Sequence, residues 1–262
     1  MNKILFILLF YTQIIEAKVY SYVTVLPQKY FLEQIAGDKV SVRALKPINQ
    51  RLDSYKLSAK QRKTFEKYTD VYFISGLQWE KDHEIKIKQI NSALNIIPIN
   101  SFEDNIDGSR WLNPLYVKKV ADTIYAKLIE LDPKNKIFYK YNYERFLDKL
   151  DQLYILIKHQ LSDNRTNGFF VFDDSFNYFS EQFTLQPKRL KLDKPYLTTQ
   201  EIIKLKKYVK KHNIKTILIL NSQFIQEAKV VSKALNITIT NINIYSYNWM
   251  SNIYNLVNSL TK

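Results

Sequence analysis

Cysteine is absent from the chain, and glycine and histidine are scarce, with four glycines and three histidines among 262 residues. The lack of cysteine excludes a disulfide framework and a lipidated N-terminal cysteine. The low glycine count and the seven prolines exclude collagen-like and low-complexity chains. With 46% hydrophobic residues the chain can bury a core, and its length allows one large domain or two smaller ones.

Acidic residues are fewer than basic ones: the chain has 25 aspartates and glutamates but 39 lysines and arginines, which gives a formal net charge of +14. Such a surplus attracts anionic membranes, nucleic acids or acidic proteins, although frequent Lys, Ile, Asn and Tyr are also typical of an AT-rich genome. The most basic segment is 202–215. Because no known nucleic-acid-binding module accompanies it, we expect no nucleic-acid partner. A solvated helix face is the simplest interpretation, and attraction to anionic membrane lipid is a secondary one.

The longest apolar run lies at the N-terminus, where Lys3 precedes the apolar segment 4–11 and Ala17 follows it. This order is typical of a cleavable secretory signal peptide, although Ile15 stands where cleavage sites favour a small residue. The apolar segment is shorter than the ~20 residues that a membrane-spanning helix needs. We therefore predict a signal peptide at residues 1–17 and an exported protein in the periplasm.

Beyond this segment, short β-type stretches alternate with helical ones. The stretches with strand character are 19–25, 40–45, 71–75 and 94–99, and later 169–172, 216–220 and 237–244. Strands that alternate with helices indicate βα units around mainly parallel sheets. The sequence therefore predicts an α/β fold.

The middle of the chain is helical instead. One helical segment covers 114–131, and a second continues from Pro133 to about residue 161. The second has an apolar stripe at helical spacing, formed by Phe146, Leu150, Leu153 and Ile157. A helix of ~25 residues is about 37 Å long. We predict two βα lobes, at residues 18–131 and 164–262, joined by a long rigid backbone helix over 132–163, with the ligand cleft between the lobes.

Six phrases of the sequence occur in an order typical of one protein family. They are LPQKYFLEQIAGDKVSV (26–42), YTDVYFISGLQWE (68–80), RWLNP (110–114), LDPKNKIFYKYNYERFLDKL (131–150), DDSFNYF (173–179) and the ending 247–260. In these phrases the chain resembles the substrate-binding proteins of zinc- and manganese-type ABC importers. The resemblance implies two βα lobes held by a rigid helix and one metal ion between them. It also implies an ABC permease in the inner membrane as partner, and a monomer that is not an enzyme.

The family pattern implies a site of three imidazoles and one carboxylate, but this chain has other residues at the matching positions. Those positions hold Asp53, Ser109, Asp173 and Asn243. The chain's own histidines, His83, His159 and His212, lie elsewhere. The resemblance therefore does not support the typical three-histidine zinc site.

Asp53, Ser109, Asp173 and Asn243 offer only oxygen donors, which suit harder ions than zinc. Two converging carboxylates repel each other unless a cation lies between them, so a divalent ion such as manganese or iron is one expectation.

Other residues beside these positions leave alternatives open. The expected cleft neighbours are Arg51, Tyr55, Arg110 and Asp174. Either guanidinium could neutralise the carboxylates, or the cleft could hold a small anionic or polar solute through forked hydrogen bonds. We expect a periplasmic solute-binding protein that delivers its ligand to a permease. The alternatives are the non-metal solute and an exported protein-interaction module without a transported ligand.

Overall fold

Two four-stranded sheets, in which every strand pair is parallel, form the centres of the two lobes. The structure is a computed structural model that describes residues 19–45, 52, 55–99, 109–163 and 168–261. The predicted signal peptide (1–17) and the predicted site residues Arg51 and Asp53 lie outside the described residues. The parallel arrangement confirms the predicted α/β fold.

The sheet of the first lobe has the strand order β2-β1-β3-β4. Its elements are β1 (Val19–Val23), α1 (Leu26–Ala36), β2 (Val40–Ala44), α2 (Ala59–Tyr68), β3 (Val71–Ile74), α3 (Gln78–Ile90) and β4 (Asn95–Pro98). Neighbouring strand residues face opposite sides of the sheet. Tyr22 and Tyr72 pack with α2 and α3, whereas Val23 and Phe73 belong to a core with α1.

The helical middle consists of α4 (Pro114–Leu131) and α5 (Lys136–Asp163), which pack against each other. Between them Pro133–Asn135 forms a 3-10 turn, so the long helix begins at Lys136 and not at Pro133 as the sequence predicts. Asp132 stabilises this turn, because its Oδ2 accepts hydrogen bonds from Tyr139 Oη and Asn135 Nδ2, both at 2.7 Å. With 28 residues, α5 is about 42 Å long.

The second lobe repeats the βα pattern with the strand order β6-β5-β7-β8. Its elements are β5 (Gly168–Val171), α6 (Asn177–Gln182), β6 (Gln186–Arg189), α7 (Thr199–His212), β7 (Thr216–Leu220), α8 (Ile225–Leu235), β8 (Thr238–Ile242) and α9 (Trp249–Thr261). Phe170 and Ile217 pack with α7 and α8 on one face of the sheet, while Phe169 and Leu218 join the core on the other face.

One continuous hydrophobic core connects the two lobes. Its centre is the predicted stripe of α5, in which Phe146, Leu150, Leu153 and Ile157 are all buried. The helix packs against α1 of the first lobe and α9 of the second. Because one rigid helix contributes to the cores of both lobes, the spacing of the lobes is tied to the packing of α5.

Local sequence signals explain several helix ends. The hydroxyl oxygens of Ser58 and Thr198 accept hydrogen bonds from the backbone N–H groups of Gln61 and Glu201, which cap the starts of α2 and α7. Gly37 ends α1 with φ of 55°, and a Cβ atom there would lie 2.7 Å from Phe138 Cζ. Among the described helices, none is both long and apolar enough to cross a bilayer.

Candidate functional site

The four predicted ligand positions share one topological feature. Ser109, Asp173 and Asn243 each follow the carboxyl end of a strand, namely β4, β5 and β8, and Asp53 follows β2 in the sequence. In open parallel sheets, ligands bind outside the carboxyl ends of the strands. Asp173 and Asn243 come within two residues of the ends of β5 and β8, whereas Ser109 lies eleven residues beyond the end of β4.

Asp173 and Asp174 are adjacent but have different surroundings. Asp173 is half-buried, and its Oδ1 accepts a hydrogen bond from the backbone N–H of Ser175 at 3.0 Å, which fixes the turn before α6. Asp174 is exposed and forms an ion pair with Arg189, with 2.8 Å between Oδ2 and Nη1. Of the two, Asp173 is the more buried, and its side chain is fixed within the turn.

Asn243 stabilises the chain reversal after β8. Its Oδ1 accepts from the backbone N–H of Tyr245 at 3.0 Å, and its carbonyl oxygen accepts from Asn252 Nδ2 at 3.1 Å. The side chain of Asn221, just beyond β7, accepts from the backbone N–H of Ile244 at 3.2 Å. Neutral amides therefore hold this edge of the second lobe.

Ser109 begins a 3-10 turn, Ser109–Leu112, that contacts the second lobe. The guanidinium of Arg110 lies over the rings of Tyr116 and Tyr178, at 5.9 and 5.5 Å from their centroids. Tyr178 is in α6, directly after the Asp173 turn. The turn that carries Ser109 and the helix that follows Asp173 are therefore neighbours across the lobe junction.

Hydrogen bonds between the lobes reinforce this junction. Trp249 Nε1 donates to the backbone carbonyl of Trp111 at 2.8 Å, and Asn113 Nδ2 donates to Gln182 Oε1 at 3.1 Å. Trp111 and Trp249 are both buried. The segment after Ser109 is thus tied to α6 and α9, the helices that follow Asp173 and Asn243 in the sequence.

A further contact between the lobes joins α1 to the loop before α9. Tyr247 Oη donates to Glu33 Oε2 at 2.9 Å, and Glu33 also forms an ion pair with Lys29. Partial burial and the bond to Glu33 raise the pKa of Tyr247 to about 12. The tyrosine therefore stays protonated and keeps its donor at all physiological pH values.

Tyr55, a predicted cleft neighbour, is buried and forms hydrogen bonds through both its hydroxyl and its carbonyl. Its hydroxyl donates to the carbonyl of Leu45 at 2.6 Å, and its own carbonyl accepts from Trp79 Nε1 at 2.9 Å. The ring packs against Trp79 in the core beneath α2 and α3. Burial raises the pKa of Tyr55. The hydroxyl and carbonyl of Tyr55 thus connect the residue after β2 to the start of α3.

A buried polar network at the carboxyl edge of the first lobe escapes the sequence analysis. Glu80 in α3 is 1% exposed, and its Oε2 accepts from the backbone N–H groups of Ser75 and Leu77 at 2.9 and 2.8 Å. Its Oε1 accepts from Gln28 Nε2 at 2.7 Å and from the hydroxyl of Thr24. One carboxylate therefore connects the turns after β1 and β3.

Gln28 extends this network from the start of α1. Its Oε1 accepts from the backbone N–H groups of Thr24 and Val25, both at 2.8 Å, and its Nε2 also reaches Ser75 Oγ. Gln28 and Glu80 both occupy the third position of their helices. A glutamine or glutamate at that position is a signal for a helix start, but it does not predict that the two side chains meet.

Burial governs the ionisation of this network. It raises the pKa of Glu80, although four donated hydrogen bonds oppose the rise. Burial, and then the nearby charge of Glu80, raise the pKa of Tyr72 well above its ordinary value. Tyr72 Oη lies 2.7 Å from the Thr24 hydroxyl, so a neutral phenol completes the network.

The three histidines lie on different helices. His83 in α3 stacks on Trp79, and His212 in α7 stacks on Tyr208, while His159 is exposed on α5. Within the described ranges, no group of three or more His, Cys, Asp or Glu side chains is arranged to hold a metal ion. The described histidines therefore do not assemble the family's imidazole site.

Comparison with known proteins matches this architecture. The family model of the periplasmic component A of zinc-uptake complexes, ZnuA, covers residues 22–258. A "Putative metal-binding protein" of Chlamydia trachomatis is 24% identical over 251 residues, which is 90% of this chain and 91% of that protein. The manganese-binding lipoprotein MntA of Halalkalibacterium halodurans is 25% identical over 164 residues, or 58% of this chain and 53% of that protein.

The structural similarity extends over nearly the whole chain. A crystal structure of ZnuA superposes with a TM-score of 0.79 at 25% identity and covers 94% of this chain and 98% of that one. Proteins of this family are non-enzymatic transport components. The chain belongs to the ZnuA family, the periplasmic metal-binding components of zinc and manganese ABC uptake systems.

Proposed function

We propose that this protein binds a divalent metal ion between its lobes, at an oxygen-rich site formed by Asp53, Ser109, Asp173 and Asn243, and delivers the ion to an ABC permease. One observation carries the proposal: Asp173 and Asn243 closely follow the carboxyl ends of β5 and β8, and the segments after Ser109, Asp173 and Asn243 contact each other across the lobe junction.

The donor set favours a hard cation. Carboxylate, hydroxyl and amide oxygens suit manganese, magnesium or calcium more than zinc, which prefers nitrogen and sulfur donors. Asp53 and Asp173 supply the negative charge, and Ser109 and Asn243 supply neutral oxygens. Manganese or ferrous iron is the cargo that this combination and the family suggest.

Elemental analysis of protein purified from its native compartment tests the metal. We expect stoichiometric manganese or iron. We also expect Asp53→Ala combined with Asp173→Ala to weaken binding by about a hundredfold or more, because first-sphere ligands are lost. Asp174→Ala is the matched control, since its carboxylate is paired with Arg189. Metal-free protein without a thermal shift in any divalent ion would eliminate the proposal.

A small anionic or polar solute is the second candidate, and Arg110 favours it. Its guanidinium lies at the lobe junction beside Tyr116 and Tyr178, where it could form forked hydrogen bonds to a carboxylate or phosphate. Under this alternative, Arg110→Lys abolishes ligand binding, while chelators have no effect. Under the metal proposal, chelators remove the ligand and Arg110→Lys has only a small effect on affinity.

Delivery to a permease implies an exported protein, so we propose that residues 1–17 are a signal peptide removed on secretion. We likewise propose that residues 18–131 and 164–262 act as lobes on a connecting helix, 132–163. Mass spectrometry of the mature N-terminus in the native host tests the first point. A mature protein that retains residues 1–17 would contradict it. A protein that binds neither metal nor solute would instead fit an exported interaction module.

A further inference from the structure

The exposed face of α7 carries a charge pattern that ligand binding does not explain. The helix contains five lysines and one glutamate. At 100° per residue, the five lysines and Ile203 fall within an arc of about 160°. The lysines of this set, all exposed, are Lys204, Lys206, Lys207, Lys210 and Lys211. We call these six residues the α7 face.

The opposite side of the helix is fully used in packing. Ile202, Leu205, Tyr208 and Val209 are partly buried against the core formed with α8 and the sheet. Glu201, the only acidic residue of the helix, binds Thr198 in the capping box at the helix start. The α7 face is therefore outward-facing, rigidly held from behind, and without a carboxylate between its lysines.

An apolar side chain stands among these charges. Ile203 is 51% exposed, and on the helix wheel it lies between Lys207 and Lys210. In the loop before the helix, Tyr196 is 56% exposed, with Lys194 Nζ 5.8 Å from its ring centroid. Exposed lysines around an apolar side chain suit an anionic bilayer surface, because anionic headgroups attract basic residues electrostatically.

We propose that the α7 face docks the protein on an anionic phospholipid bilayer. Lysine ammonium groups attract phosphate headgroups without a specific geometry, whereas a recognition site for one acidic protein or nucleic acid would favour arginine forks or a groove. Ile203 enters the headgroup region, and the lysine stems bend outward so that their charges stay in water. This role goes beyond the proposed metal delivery and does not depend on a bound metal.

Vesicle binding tests the proposal with the full mature chain. The vesicles contain either phosphatidylcholine alone or an equal mixture with phosphatidylglycerol. We expect co-sedimentation only with the anionic vesicles, and its loss as salt rises from 0.05 to 0.5 M, because screening shortens the range of the attraction. Absence of binding to anionic vesicles at low salt would overturn the proposal.

A pair of triple variants separates this face from the net charge. Lys204→Gln, Lys207→Gln and Lys211→Gln together should weaken partitioning about a hundredfold, since each surface lysine contributes about a factor of five. The matched control removes three exposed lysines from α2 of the other lobe, as Lys60→Gln, Lys63→Gln and Lys67→Gln, and should weaken it less than about threefold. Equal losses in the two triples would overturn the assignment to α7.

A fluorescent reporter tests the contact itself. The native tryptophans Trp79, Trp111 and Trp249 are all buried, so Ile203→Trp adds an exposed indole whose emission is separable. We expect a blue shift and reduced acrylamide quenching with anionic vesicles. An unchanged spectrum at saturating lipid would overturn the proposal.

So would binding only to vesicles that contain a permease, which would indicate an acidic protein surface instead. Asp173→Ala should leave vesicle binding unchanged, so this test is independent of the metal proposal.

Discussion

The two lobes share one sheet topology but hold their carboxyl edges in different ways. In the first lobe a single buried carboxylate, Glu80, receives four hydrogen bonds from the turns after β1 and β3 and from α1. In the second lobe, Asn241 Oδ1 accepts from Ser222 N–H in the turn after β7, and Asn221 Oδ1 accepts from Ile244 N–H after β8. Both asparagines are exposed.

This difference determines how each edge responds to substitution. A buried carboxylate cannot be removed without leaving several buried donors unsatisfied. An exposed amide can be replaced, because water takes over its hydrogen bonds. Asp173 and Asn243 follow β5 and β8 on this second edge, and both are half-buried.

The backbone of the second edge has a further distinctive feature. Asn221, Ser222 and Phe224 all have positive φ, of 49°, 62° and 56°, in the turn between β7 and α8. Asparagine tolerates this left-handed conformation better than serine or phenylalanine does. Phe224 is held there by stacking on Phe172, with ring centroids 5.6 Å apart. Tertiary packing, and not local preference, fixes this turn.

The largest expected effect is that of Glu80→Ala. The substitution removes the acceptor of the Ser75 and Leu77 N–H groups and of the Thr24 hydroxyl, and one of the two acceptors of Gln28 Nε2. We therefore expect a loss of about 3–5 kcal/mol in the free energy of unfolding. Urea denaturation measures it. Glu84→Ala, at an exposed position one turn along the same helix, is the control and should change stability by less than about 0.5 kcal/mol. Equal effects would mean that the network does not hold the first edge.

On the second edge, Asn221→Ala should lower the free energy of unfolding by less, about 1–2 kcal/mol. The variant loses the acceptor for Ile244 N–H and forces alanine into the left-handed region. Asn221→Gly loses the same hydrogen bond but adopts positive φ freely, so it should cost less than the alanine variant. Thermal or urea unfolding measures both. If glycine were as destabilising as alanine, backbone conformation would play no part in this edge.

The raised pKa of Glu80 predicts a pH dependence with a definite sign. The folded protein binds the proton of the Glu80 carboxyl more tightly than the unfolded chain does. The stabilisation that results is fully present below about pH 4.3, the pKa of an unperturbed glutamate. It is lost as pH rises through the folded pKa. The wild type should therefore gain stability relative to Glu80→Gln as pH falls from 7 towards 4.5. Comparing the two proteins cancels the titrations of all other groups.

Urea denaturation of both proteins at several pH values measures this difference. Glu84→Gln, compared with the wild type in the same way, should show no trend. A difference that moved in the opposite direction would mean that the four donors, and not burial, dominate the ionisation of Glu80.

Much of the fold could be predicted because its elements have strong local signals. The helix 114–131 and the strand 216–220 are confirmed at both ends, since a proline starts the first and an unbroken β-branched and leucine run forms the second. The stripe of α5 is confirmed as core. In these segments the spacing of hydrophobic residues and the residues at the ends indicate the same element. Tertiary contacts then stabilise the structure that the local sequence already favours.

Other elements could not be predicted, for identifiable reasons. Strand β6 (Gln186–Arg189) is polar, contains Pro187 and lies at the edge of its sheet, where only one neighbour is needed. The short helix α6 has no capping side chain. The Glu80 network joins residues more than 50 positions apart, and its members read singly as ordinary polar residues. Such a cluster is visible only after the strands have paired.

Substitutions of the neighbours Asp173 and Asp174, on the second edge, should have the smallest effects on stability. Their effects on metal binding should differ. Asp174→Asn weakens only an exposed ion pair with Arg189, so stability should change by less than about 0.5 kcal/mol. Asp173→Asn keeps an oxygen that can accept from Ser175 N–H, so its stability should also change little. Isothermal titration with manganese should nevertheless separate them, with affinity retained in Asp174→Asn and reduced by about tenfold or more in Asp173→Asn. Equal affinities in the two variants would mean that Asp173 is not a ligand of the metal ion.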